Sequence, residues 1–403
     1  MSASGPAPWW RTRRWAITGA LSVTETVSYG VLYYAFAAFL VPMREDLGWS
    51  TAQLSGAFSL AILISAVAGI PVGRYLDRRG PRGLMTLGAL AAALLTVAWS
   101  RVDGLVAFYA VWCGMGLVMA AVLYEAAFTV LAKHFAEPEE RRRAMTAVTL
   151  VAAFASFIFV PLSQELIDAY GWRDALLVLA VILAAITVPL HGIFLRAAPR
   201  GASATATGGR SASARAVLRS GDFWMLSAAF FFAQFAAMGA VILAIPFLLE
   251  RGYSAEFGAF AVGLFGISQI PGRIAFAPLA ARLSPEWSTA AVFALIAGGI
   301  AVAVAVDAAS AVVVGFVLIG MGNGMSTLAR ATVIADRHGQ ASYGTIAGVA
   351  AAVTIAARAV APVSAALYAA AVGFPALFWT LAGLAVAAAV LGYRAEVGEP
   401  APG

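Results

Sequence analysis

Long apolar runs make up most of this chain, and short charged or glycine- and proline-containing breaks separate them. Dividing the sequence at these breaks predicts twelve helical spans. At a rise of about 1.5 Å per residue, each span is long enough to cross a hydrocarbon core about 30 Å thick. The pattern therefore predicts an all-α integral membrane protein with twelve transmembrane helices. The predicted spans, numbered one to twelve in chain order, are 15–41, 52–73, 83–100, 104–132, 143–168, 174–196, 222–249, 256–281, 287–306, 309–334, 343–370 and 374–393.

The composition agrees with lipid as the surrounding solvent. Of the 403 residues, 62% are hydrophobic and only 11% are charged. A soluble domain needs more polar residues to cover its surface, so this composition excludes one. The net charge of +6 does not indicate a nucleic-acid partner, because the arginines form no continuous basic face. One cysteine, Cys113, and three scattered histidines predict neither a disulfide framework nor a metal site, and no cofactor is expected.

The lysines and arginines of the predicted loops lie almost entirely on one side of the membrane. Positively charged loop residues are retained in the cytoplasm. We therefore expect both termini to be cytoplasmic, in a plasma membrane such as a bacterial inner membrane. The basic side contains the loops 74–82, 133–143 and 196–219 with Arg282 and Arg337, and the opposite side contains only Arg44, Arg101, Arg173 and Arg251.

The loop between spans two and three has an unusual motif, Gly73-Arg-Tyr-Leu-Asp77-Arg78-Arg-Gly80-Pro-Arg82. It could be an ordinary basic loop whose charges only set the topology. Such a loop would not need two glycines and an aspartate at these offsets. The spacing Gly-x-x-x-Asp-Arg-x-Gly-x-Arg resembles the loop between the second and third helices of the major facilitator superfamily.

This resemblance implies the major facilitator fold, in which two pseudo-symmetric six-helix bundles enclose a substrate site near the membrane midplane. It also implies that the loop is a conformational gate. We expect the aspartate to meet the positive N-terminal dipole of span eleven near Ser342, and the arginines to face acids such as Glu139. The predicted gate residues are Gly73, Asp77, Arg78, Gly80 and Arg82.

A stretch of small and polar residues, 197–219, follows span six and is expected to be a flexible cytoplasmic linker. It divides the chain into an N-terminal half, 1–196, and a C-terminal half, 220–403, with six spans each. The segment 272–282 follows span eight and echoes the earlier motif, although its aspartate is missing. The echo favours an internal duplication.

Further motifs surround spans one, four and five. The chain has Leu131-Ala-Lys-His-Phe135, a basic cluster at 141–143 and Tyr170-Gly-Trp-Arg173, and Leu47-Gly-Trp-Ser50 follows span one. These features are similar to the monocarboxylate and oxalate–formate branch of the superfamily, which has a Lys-Trp-Phe run, a basic cluster and a Gly-Trp-Arg turn. In this chain His134 replaces the tryptophan.

Charged residues inside the spans are few and unevenly distributed. Placing a charge at the bilayer centre costs at least about 2.5–3.5 kcal/mol on insertion scales, so such residues are usually paired or functional. The interiors of spans three, six, nine and twelve carry none, and the resemblance implies that helices one, four, seven and ten line the cavity. The deep charges are Glu25, Glu125, Arg273, Arg330 and Arg358.

Polar residues accompany these charges at helical spacing. Glu25, Tyr29 and Tyr33 form one stripe on span one, and Tyr124 adjoins Glu125 on span four. The branch resemblance implies a carboxylate-binding arginine on helix eight, at Arg273. The predicted substrate-binding residues are Arg273, Tyr29, Tyr33, Tyr124, Asn323 and Arg358. The predicted proton carrier is Glu125, with Glu25 as the alternative.

Three of the five deep charges also have a structural interpretation. Glu25 could bridge to an arginine in helix packing, and Arg330 could extend to the inner membrane surface. Arg358 could serve only to neutralise a glutamate. Gly320-Met-Gly-Asn-Gly324 resembles a dinucleotide loop but lies inside an apolar span, so it predicts close helix packing.

The predicted function is secondary active transport of a small, monocarboxylate-like organic anion by alternating access, with a proton as the coupling ion in symport. Three deep arginines against two deep glutamates favour an anionic substrate. A buried carboxyl group can load and release a proton. The sequence has no Walker A loop and no catalytic constellation, so neither ATP-driven transport nor an enzyme is expected. We expect a monomer in the bilayer.

Two other functions stay open. A proton-coupled drug or metabolite exporter would share this fold. Span five, however, lacks the Gly-Pro-x-x-Gly-Gly run that is typical of exporters in the superfamily. A non-transporting membrane sensor should carry a sizeable soluble domain, whereas the longest hydrophilic stretch here is the central linker. Substrate identity and transport direction are not predicted.

Overall fold

The computed structural model describes residues 13–196, 213–339 and 341–397, and every regular element within these ranges is a helix. The helices that follow one another before the linker are Arg13–Tyr29, the π-helix Gly30–Tyr34, Ala35–Leu47, Thr51–Arg79, Arg82–Ser100, Leu105–Val122, Tyr124–His134, Pro138–Ala152 and Ala155–Phe194. The helices after it are Ala214–Val217, Gly221–Ile242, Ala244–Glu250, Ala255–Arg282, Pro285–Ala305, Ala309–His338, Tyr343–Val372 and Phe374–Val397.

Eleven stretches of the described residues are long and apolar enough to cross a membrane. One of them, Pro138–Phe194, has 57 residues. At about 1.5 Å per residue it would be far longer than a core of about 30 Å, so it must contain two spans. The two helices meet at Gly171, whose φ of 77° and ψ of 162° are not helical. With spans five and six counted separately, the described residues contain the twelve predicted spans.

The chain forms two compact units. The first comprises residues 1–209 and 340–349, and the second comprises residues 210–339 and 350–403. Residues 197–212 of the predicted linker lie outside the described residues. The remainder is partly structured, because Ser213 caps the short helix Ala214–Val217 with its side chain.

An aromatic cluster forms the core of the first unit. The fully buried Trp99 and Trp112 pack edge to face with ring centroids 4.9 Å apart. Phe36 of span one contacts Trp112 at 4.9 Å and stacks on Phe58 of span two at 4.7 Å. Lipid tails are as apolar as these side chains, so tight packing rather than removal from water stabilises the contacts between spans.

Helix ends explain two of the sequence motifs in the first unit. Gly48 ends span one in the left-handed conformation, and Ser50 begins span two with a capping box to Gln53. After Gly171, the Trp172 indole donates to Asp46 at 3.1 Å. The Trp172–Asp46 bond joins the end of span one to the turn between spans five and six.

Arg173 extends the same junction to the end of span three. Its guanidinium donates to the carbonyls of Ser100 and Val102 at 3.0 and 3.1 Å, and pairs with Asp103 at 2.7 Å. Carbonyls at a helix end have no partner within the helix, so the arginine satisfies them. The Gly-Trp-Arg turn therefore has a structural role in the first unit.

Glycines allow the backbones of the second unit to approach closely. A Cβ at Gly320 would overlap the Phe265 carbonyl, and one at Gly324 would overlap the Gln269 carbonyl. Both contacts join span ten to span eight. The prediction that Gly320–Gly324 serves helix packing is confirmed.

Candidate functional site

Several spans are interrupted at mid-length, and predicted site residues lie beside two of these interruptions. In a bilayer, broken helices occur where protein or a polar cavity satisfies the freed backbone groups, and transporters build their sites there. By contrast, spans three, nine and twelve are continuous at Arg82–Ser100, Pro285–Ala305 and Phe374–Val397. The interruptions are the π-helix Gly30–Tyr34 in span one, Leu123 in span four, Ala153–Phe154 in span five and Leu243 in span seven.

Two carboxyl groups lie close together in the first unit. The Glu25 side chain is completely buried, and neither carboxyl oxygen has a hydrogen-bond partner among the described residues. It interacts electrostatically with Glu125. Glu125 is half-buried in the first turn of the helix that begins after Leu123, where the positive end of the helix dipole favours a negative charge. The structure thus brings together the two predicted proton carriers.

Tyrosines surround this carboxyl pair. The Tyr29 and Tyr124 rings are 4.4 Å apart, which joins span one to the break in span four. Tyr33 lies 6.0 Å from Tyr29 and also contacts Phe58. Tyr34, which the sequence analysis did not single out, lies 5.2 Å from Tyr33. The first unit therefore has an aromatic and acidic cluster in which Glu25 is buried and the other members are half-buried. It is here called the tyrosine–glutamate cluster: Glu25, Tyr29, Tyr33, Tyr34, Tyr124 and Glu125.

A chain of hydrogen bonds crosses the second unit. Arg358 lies in the middle of span eleven and donates from its guanidinium to Gln234 Oε1 at 3.1 Å. Gln234 Nε2 in turn donates to Asn323 Oδ1 at 3.3 Å. Gln234 and Asn323 are buried, whereas Arg358 is exposed. Spans seven, ten and eleven thus share one polar chain, here called the arginine–amide chain.

The other two deep arginines occupy different surroundings. Arg273 is half-buried on span eight, where the adjacent Gly272 is in close contact with the backbone of Met321. Arg330 is only 7% exposed. This burial favours contacts inside the protein over extension to the membrane surface.

Asp77 accepts three hydrogen bonds at the start of span eleven. Its carboxylate accepts from the backbone nitrogens of Gly344 and Thr345 at 3.1 and 2.9 Å, and from the Thr345 hydroxyl at 2.9 Å. Lys133, at the end of span four, lies 3.1 Å from the same carboxylate. All these residues belong to the first unit. The aspartate therefore lies at the helix start that the sequence analysis named.

Two gate glycines take part in the same region. A Cβ at Gly73 would overlap the carbonyl of Gly344, so only glycine allows this approach. Gly80 ends span two with a φ of 81°, a value that favours glycine. Both offsets in the motif therefore have a steric reason.

The expected contacts of the gate arginines were wrong. Arg78 and Arg82 are exposed, and Glu139 pairs instead with Arg142 and Arg143 at 3.1 and 2.9 Å. These partners lie three and four residues along the same helix, so they are in reach of Glu139 without any tertiary contact.

Sequence reasoning missed Gln234 and the break at Leu123. A single amide in an apolar span was a usable signal, since an amide in lipid needs a partner. The break had no comparable signal, because Val122-Leu123-Tyr124 contains neither glycine nor proline.

Comparison with known proteins places this architecture among transporters. The Major Facilitator Superfamily matches residues 25–362 of the chain. Among curated proteins, monocarboxylate transporter 13 of Rattus norvegicus is 26% identical over 289 residues, which are 68% of this chain and 64% of the relative. The match thus covers less than two thirds of that relative. The oxalate:formate antiporter of Oxalobacter formigenes is 23% identical over 235 residues, covering 57% of this chain and 54% of the antiporter.

Solved structures share the fold at low sequence identity. The transporter FucP in its outward conformation has a TM-score of 0.74 at 14% identity, with 95% of this chain and 99% of FucP covered. The proton:xylose symporter XylE has a TM-score of 0.76 at 11% identity, with 94% and 95% covered. These relatives are multi-pass membrane transporters of small molecules and not enzymes. With the family pattern extending over residues 25–362, the chain belongs to the Major Facilitator Superfamily.

Proposed function

We propose that this protein is a proton-coupled secondary transporter of a small, monocarboxylate-like organic anion that works by alternating access. One observation carries the proposal: the two units hold deep charges of opposite sign. The spans of the first unit hold Glu25 and Glu125, and those of the second hold Arg273, Arg330 and Arg358. An acidic site suits a proton, and a basic site suits a carboxylate.

The tyrosine–glutamate cluster supports proton coupling. Burying an ionised carboxylate without a partner is very costly, so the environment of Glu25 accommodates a protonated acid. Two neighbouring carboxyl groups also repel each other when both are charged. We propose that Glu25 and Glu125 act together and carry one proton between them.

The arginine–amide chain and Arg273 support an anionic substrate. A guanidinium can bind a carboxylate through two parallel N–H donors, which gives both charge and orientation. The names of relatives agree with this class: several are monocarboxylate transporters, and one exchanges oxalate and formate. We propose Arg273 and Arg358 as the carboxylate-binding residues, with Tyr29, Tyr33, Tyr124 and Asn323 as further substrate contacts.

The Asp77 contacts support a gating role for the loop between spans two and three. An anion at a helix N-terminus is stabilised by the dipole, and here three hydrogen bonds add to that effect. We propose that these bonds hold one conformation of the transport cycle and break in another. We further propose that both termini lie in the cytoplasm, because the loops rich in lysine and arginine lie on the same side as the termini. We also propose that the protein is a monomer in a bacterial inner membrane.

Uptake into proteoliposomes tests the proposal. Purified protein is reconstituted, and accumulation of radiolabelled oxalate, formate and L-lactate is measured with and without an inward proton gradient. We expect at least one of these anions to accumulate above equilibrium only when the gradient is present. If an anion equilibrates across the membrane to the same extent with and without the gradient, proton coupling is contradicted. If none of the three carboxylates is taken up, the proposed substrate class is contradicted.

A proton-coupled exporter is the second candidate. The cephamycin export protein CmcT of Amycolatopsis lactamdurans is 32% identical over 177 residues, or 40% of this chain and 35% of that protein. The same vesicles distinguish the two functions. An exporter that exchanges its substrate for protons would accumulate a cephalosporin when the gradient is reversed, with the vesicle interior acidic, and would leave the carboxylates at equilibrium.

A further inference from the structure

Gln234 lies at the centre of the arginine–amide chain, although neither motif nor periodicity marks it. Its side chain is 4% exposed in the middle of span seven, and both ends of its amide are bonded. If the Gln234 amide served only helix packing, any two hydrogen-bonding groups could satisfy it. The partners it has are the Arg358 guanidinium and the Asn323 amide.

Chemistry fixes the direction of this chain. A guanidinium has only donors, so Gln234 must turn its oxygen towards Arg358. Its nitrogen then faces Asn323, which must accept through Oδ1. This leaves the Asn323 Nδ2 group turned away from Gln234, so both ends of the chain are N–H donors.

We propose that Gln234 is a positioning residue for anion binding: it holds the Arg358 guanidinium in place and orients the Asn323 amide so that the chain presents donors only. This inference rests on the proposed anion transport. An exposed arginine has about 2 kcal/mol of side-chain rotamer entropy, which a fixed partner removes before the substrate arrives. A site of donors alone selects fully ionised carboxylates over alcohols or protonated acids.

The inference predicts different effects for two substitutions of Gln234. Gln234→Leu removes both bonds and leaves Arg358 charged but unheld. Gln234→Glu keeps the shape and still accepts from Arg358, but it cancels the positive charge. It also forces Asn323 to turn its Nδ2 inwards and its oxygen outwards. The glutamate should therefore be the more damaging change, although it is the closer in shape.

Anion binding by the purified full-length protein tests this inference. The probes are sodium oxalate, sodium formate and sodium L-lactate, and binding is measured by thermal shift and confirmed as uptake KM and maximal rate. For the probe that wild type binds most tightly, Gln234→Leu should weaken binding about tenfold, and Gln234→Glu should weaken it further. The rise should appear in KM, with maximal rate per folded molecule nearly unchanged for Gln234→Leu.

Two controls separate positioning from packing. Thr332→Val removes a buried hydroxyl of span ten that bonds only to its own helix, and it should bind like wild type. In an Arg358→Ala background, Gln234→Leu should cause no further loss, because Gln234 acts through that arginine. If Gln234→Glu does not fold, Gln234→Leu and this double variant decide the question.

The outcomes are distinct. If wild type binds an anion and Gln234→Leu binds it equally well, the inference is overturned and the proposed anion transport still stands. Equal losses from Gln234→Leu with and without Arg358 would show a packing role only, which also overturns it. If wild type binds none of the three anions, the proposed function fails and this inference fails with it.

Discussion

The two units of this transporter accommodate charged and polar side chains within their membrane spans in different ways. Both units contain interrupted spans, but the first gathers Glu25, Glu125 and the tyrosines beside the breaks in spans one and four. In the second unit spans eight and ten are continuous, glycines let them approach closely, and Arg358 is tied to Gln234 and Asn323. Among the described residues, the buried Glu25 of the first unit has no hydrogen-bond partner, while Arg358 of the second unit has a fixed one.

This difference suits two different ligands. A proton needs a group that is stable both with and without it, and an over-restrained carboxylate would not release and rebind it. A carboxylate substrate needs donors that are already in position, because ordering them during binding would reduce affinity. The following predictions test that division of labour, beginning with the largest expected effect.

Replacing either carboxyl group of the acidic pair with an amide should abolish coupling. We expect Glu25→Gln or Glu125→Gln to permit exchange between equal pools of substrate but to lose accumulation driven by a proton gradient, because an amide cannot carry the proton. Proteoliposome uptake with and without an imposed gradient measures this. Glu165→Gln, a change at an exposed glutamate of span five, is the matched control. A variant that still concentrates substrate would remove that glutamate from the carrier role.

Conservative substitution of a deep arginine should be nearly as harmful as its removal. Arg273→Lys should raise the KM for the transported anion about tenfold to a hundredfold, because loss of a hydrogen bond to a charged group contributes about 1.5–3 kcal/mol. Lysine is a point charge and cannot replace the planar guanidinium. Uptake kinetics at equal protein level give the value. If lysine is tolerated while alanine misfolds, Arg273 is a structural counter-ion.

The gate should depend on the charge of Asp77. Asp77→Asn should reduce transport at least about tenfold while expression and anion affinity persist, since a hydrogen bond to a charged group contributes about 1.5–3 kcal/mol and the helix dipole adds to it. Asp103→Asn changes an exposed loop carboxylate after span three and should have little effect. Normal turnover of the Asp77 variant would reduce this loop to a topology signal.

The smallest predicted effect concerns packing in the second unit. Gly324→Ala should destabilise the protein by about 1–3 kcal/mol, because its Cβ would overlap the Gln269 backbone. Gly298→Ala in span nine is the control, since nothing lies within 4 Å of its added Cβ. Thermal unfolding in a fixed detergent compares the two. An equal loss in both variants would show that helix propensity or detergent effects dominate.

Tertiary contacts decided the parts of the site that sequence reasoning missed. The Asp77 environment could be predicted, because its motif resembles a loop of the superfamily and that resemblance implied a contact with the start of span eleven. The predicted contacts of Arg78 and Arg82 with Glu139 were wrong, because Glu139 forms salt bridges with arginines three and four residues away on its own helix. Gln234 was missed, since its importance depends on residues 89 and 124 positions away.

The sequence by itself determined the solvent, the number of spans and the family of this protein. Apolar runs long enough for a bilayer and the Gly73–Arg82 motif are properties of consecutive residues, so no folding is needed to recognise them. Only the tertiary structure decided which polar groups meet: Glu25 with Glu125, and Arg358 with Gln234. The reason is that every span looks similarly apolar from its sequence, while the partner of a buried polar group depends on which helix faces it.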